Sequence, residues 1–133
     1  MTPEFVPYEQ ALALKELGFN EGCAAYYQDN PHHSLYGVNL SNETYIRAIE
    51  GCDMNTYGAG QISAPLYQQA FRFFREKHNL KAWVQEHTKG KFIYEIRPHV
   101  LSDYRKGEIY VFKSYEKTEL ACLNKLIEIT KNK

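Results

Sequence analysis

Near the start of the chain, apolar positions fall at helical spacing. Ala11, Leu14 and Leu17 recur on one face, and Pro7 suits a first helical turn, where its missing N–H is no loss, so residues 7–17 are predicted to form a helix. Gly18 can adopt the left-handed conformation that ends it, with Phe19 folding back on Leu14. Residues 23–28, weighted with aromatics and followed by Asp29-Asn30-Pro31, read as a strand closed by a turn. The strongest helical signal spans residues 63–79. Ser63 is its expected cap and Pro65 lies in its first turn; Leu66, Tyr67, Ala70, Phe71, Phe73 and Phe74 form a broad apolar face, and Asn79 is a left-handed stop.

Beyond Asn79 the period changes from helical to two. Residues 82–87 and 91–97 read as antiparallel strands around Thr88-Lys89-Gly90, with Phe92, Tyr94 and Ile96 alternating against Ile93, Glu95 and Arg97. Pro98 ends the second strand, and residues 108–112 read as a third. Ser114 caps a last helix to about residue 130, with Leu120, Leu123, Leu126 and Ile127 inward. Residues 31–61 carry the weakest pattern: an irregular excursion rich in Asn, Ser, Thr and Gly. Within it Asn42 could cap a short helix over residues 43–50, whose Tyr45, Ile46 and Ile49 share a face.

This order predicts one compact α+β domain over residues 1–133: a small, mainly antiparallel sheet packed by about three helices, with a frayed tail at 131–133. An unpaired edge at residues 23–28 would offer a route to self-association. The length, 133 residues at 44% hydrophobic, suffices for an own core, and no uncharged stretch approaches the roughly 20 apolar residues of a membrane span. Residues 1–20 carry Glu4, Glu9 and Glu16 with no basic start before an apolar run, which predicts a cytoplasmic protein without a secretory signal. Three widely spaced cysteines, Cys23, Cys52 and Cys122, fit reduced, buried thiols.

The formal net charge of zero conceals a partition. Residues 1–60 hold two basic and eight acidic side chains, net −6, whereas residues 61–133 hold fourteen and eight, net +6. Such a chain can present opposite potentials on different faces, or its halves can neutralise each other on folding.

Candidate chemistry is sparse. His32, His33, His78, His87 and His99 with the three cysteines show none of the two-to-five-residue spacings by which a turn or helix presents zinc ligands, so no metal is expected. Cys52 and the His32-His33 pair share the excursion, but no motif fixes a nucleophile–base geometry. Gly58-Ala59-Gly60 lacks the leading strand, third glycine and distal acid of a dinucleotide turn. The expectation is a non-enzymatic protein without cofactor or small-molecule substrate.

A binding surface is what the pattern does offer. Arg72 and Arg75 lie one turn apart on the wet face of the main helix, Lys77 and Lys81 follow, and Lys89 and Lys91 flank the hairpin turn. In the excursion, Tyr36, Tyr45 and Tyr57 are the kind of aromatic anchor found at interface centres. Pure nucleic-acid binders of this size usually carry net positive charge, so a protein or ribonucleoprotein partner fits the neutral chain better, with RNA contact possible. The competing account is that the arginines pair with neighbours such as Glu76.

Residues 5–19, 62–77 and 114–129, about half the chain and chiefly the cores and caps of three helices, resemble a family of small proteins carried by phages and prophages of Bacteroidetes bacteria. Lys117 stands where an acidic capping partner would be expected, and residues 30–61 look elaborated relative to that pattern. The resemblance carries no catalytic residue. It implies a phage protein resembling host-defence inhibitors, among them anti-CRISPR proteins, and a partner such as the RNA-guided nuclease of type VI-B CRISPR systems in the bacterial cytoplasm. On that reading the basic residues and tyrosines bind the effector and block guide loading, target entry or activation. The alternative is a phage accessory or regulatory protein that binds nucleic acid.

Overall fold

The computed structural model describes residues 5–28, 44–46, 53–57, 61–98 and 111–132. The chain divides into two compact units, Met1–Gln68 and Gln69–Lys133. Each is mixed α and β, and every strand pairing among the described residues is antiparallel.

The first unit opens with α1 (Tyr8–Glu16), preceded by an extended Pro7. Its end is a Schellman closure. The Phe19 N–H donates to the Leu14 carbonyl at 2.9 Å and the Gly18 N–H to Lys15 at 3.0 Å, made possible by Gly18 at φ 94°. Phe19 and Leu14 are both buried, as the sequence predicts.

The strand of residues 23–28 is realised as β1 (Ala25–Gln28), with Cys23 in an isolated bridge just before it. It is the centre of a three-stranded sheet, between β2 (Thr44–Ile46) and β3 (Gln61–Ser63). The register sets Tyr26 opposite both Tyr45 and Ser63, and the Ala64 N–H extends the pairing by donating to Ala25 at 2.9 Å. An open edge at 23–28 is thereby overturned: β1 is paired on both sides, and the edges of this sheet are β2 and β3.

The expected short helix over 43–50 is also corrected. Residues 44–46 are extended and pair with β1, which satisfies their backbone groups in a way that an isolated one-turn helix could not. A one-turn helix does occur in the excursion, but at α2 (Met54–Tyr57), opened by the Asp53 carboxylate, which accepts from the Asn55 and Thr56 N–H groups at 3.1 and 3.2 Å.

Ser63 does not cap the main helix. It ends β3 fully buried, because Pro65 disfavours a helical conformation at Ala64 and the Pro65 carbonyl is taken by the Val6 N–H at 2.8 Å. The helix starts four residues later than predicted, as α3 (Tyr67–His78). Its predicted end holds: Asn79 is left-handed, at φ 54°, and the Leu80 N–H reaches back to the Phe74 carbonyl at 3.0 Å.

The second unit continues with the hairpin β4 (Lys81–Thr88) and β5 (Lys91–Arg97), joined at Lys89-Gly90 with Gly90 at φ 77°. A register shift between Glu86 and Thr88 leaves His87 as the extra residue. Of the expected third strand, residues 108–110 lie outside the described residues. Phe112 pairs with Phe92 through two reciprocal 2.9 Å hydrogen bonds. Among the described residues the strands therefore form two sheets where a single one was expected, with α3 standing between β3 and β4 in the chain.

The last helix is α4 (Tyr115–Lys131), one residue longer than expected, so Lys131 is helical and not part of a frayed tail. Ser114 caps it by accepting from the Lys117 N–H at 3.1 Å. Cys122, Leu123, Leu126 and Ile127 are buried along one stripe, and Leu120 is half-buried. No described helix is long and apolar enough to cross a membrane.

Candidate cationic surface

The charge partition follows the fold. Residues 61–68 carry no charged side chain, so the division between the acidic and basic halves coincides with the boundary between the two units. The net +6 belongs to the unit that holds Arg72, Arg75, Lys77, Lys81, Lys89 and Lys91, and all six are exposed.

They do not form one patch. Arg72 and Arg75 share a face of α3, but Lys77, five residues from Arg72, lies about 140° around the axis. Arg75, Lys77 and His78 occupy the last turn of α3, where positive charge favourably meets the carbonyl end of the helix. The His78 ring also packs on Phe73 and Phe74, with centroids 5.2 and 5.8 Å away, which ties that turn to the core.

Lys81 begins β4 and lies directly opposite Arg97 in β5, whereas Lys89 and Lys91 sit at the far end of the hairpin. Seven residues of strand separate Lys81 from Thr88, about 23 Å. The predicted set thus splits into the α3 face, the hairpin base and the hairpin tip.

Arg97, absent from the predicted set, belongs at the base. Its guanidinium lies 5.6 Å above the centre of the Trp83 ring and meets Glu95 at 3.8 Å, yet its side chain remains 66% exposed. Trp83, Glu95 and Arg97 share one face of the hairpin because Trp83 pairs with Glu95, and strand residues two apart point the same way. The pairing of Lys81 with Arg97 depends on the bulge at His87, since the Lys89-Gly90 turn alone would set Lys81 opposite Pro98, so the turn was no signal for the place of Arg97.

On the opposite face Phe92 meets the Tyr115 ring edge-on at 5.9 Å, and Tyr94 meets Phe112 at 6.2 Å. This apolar face receives α4. Tyr36 lies outside the described residues. Tyr45 and Tyr57 are placed by their backbones in β2 and α2, with their side chains outside the described set.

Among the described residues no three His, Cys, Asp or Glu side chains gather where a metal could be held. Cys23 is a poor nucleophile: burial pushes its thiol up to about 12, against a smaller lowering by a hydrogen bond with Ser63. Cys122 is buried, and neither thiol is in a disulfide. Cys52, His32, His33 and His99 lie outside the described residues. Compared with known proteins, the chain matches no family model, no curated protein and no solved structure.

Proposed function

We propose that this protein is a phage-encoded, non-enzymatic inhibitor that binds a bacterial defence effector. The effector is an RNA-guided CRISPR nuclease, of the type VI-B class to which the sequence resemblance points, and binding blocks its RNA loading or activity. The observation that carries the reading is the gathering of the net positive charge in one compact unit, with Arg72 and Arg75 exposed on the α3 face. Two arginines one helical turn apart present planar, multidentate donors to carboxylates or phosphates, the groups that a ribonucleoprotein surface offers.

The test uses the purified effector loaded with its guide. Tagged inhibitor should retain the effector after nuclease treatment, and RNA cleavage should fall in proportion to inhibitor added until the two are equimolar. Replacing Arg72 and Arg75 together by alanine should weaken both effects. Retention that disappears on nuclease treatment, or inhibition far below equimolar inhibitor, overturns direct stoichiometric binding.

A further inference from the structure

We draw no further inference here: the strongest candidate, the aromatic patch at the hairpin tip where Phe92, Tyr94 and Phe112 meet the exposed Tyr115 at the start of α4, is flanked by side chains of both signs, Glu86 and Glu119 as well as Lys91 and Lys113, and nothing in the structure shows what covers it.

Discussion

The Asn55 side chain bridges three segments of the first unit, and its removal tests how that unit is held. Its Nδ2 donates to the Phe19 carbonyl at 2.9 Å, just after the α1 stop, and its Oδ1 accepts from the Ser63 N–H at 2.8 Å. Ser63 lies on β3, an edge of the sheet, where a backbone donor pointing away from β1 has no strand to meet. Asn55→Ala deletes the bond to the Phe19 carbonyl, worth about 1 kcal/mol, and leaves the buried Ser63 N–H unpaired, a penalty of about 1–3 kcal/mol, so about 2–4 kcal/mol in all. Urea unfolding followed by circular dichroism should show the midpoint falling by about 1–2 M, for a slope of about 2 kcal/mol/M. Trp83 fluorescence is the wrong probe, because Trp83 belongs to the second unit. Asn55→Asp sharpens the test. Its carboxylate could still accept from Ser63 but would face the Phe19 carbonyl oxygen, so the folded state favours the protonated acid, which can donate. The folded pKa is then raised above the unfolded value of about 3.9, and the stability it contributes is present in acid and lost as pH rises through the folded pKa. A cost below about 0.5 kcal/mol for the alanine variant, or an aspartate variant insensitive to pH, refutes the bridge.

Three further outcomes follow from single positions. Gly18→Ala should cost about 1–2 kcal/mol in denaturant unfolding; no atom crowds the added Cβ, so the whole penalty comes from φ 94°. Ser114→Ala should cost about 1 kcal/mol and increase amide exchange at Lys117, whose N–H loses its acceptor. Cys23 has a folded pKa raised from 9.0 to about 12, so the stability it contributes is intact below 9.0 and declines as pH rises towards 12. A Cys23→Ala variant should lack that decline, and the native thiol should resist alkylation at pH 8 until the protein is unfolded.

What the sequence made legible was local. Gly18 and Asn79 stop their helices because few residues tolerate left-handed backbone, and Gly90 turns the hairpin for the same reason, although the bulge at His87 then shifts the register by one. The stretches misread, 43–50 and 61–66, were settled by distant partners. Tyr45 and Ile46 suit a helix face or a strand equally, and only β1 decides between them. Ser63 resembles a helix cap, yet the Pro65 carbonyl and Ala64 N–H are claimed by Val6 and Ala25. The candidate site was legible as composition but not as geometry: the cations were visible, while their separation into an α3 face and two hairpin ends needed the register, as did the place of Arg97.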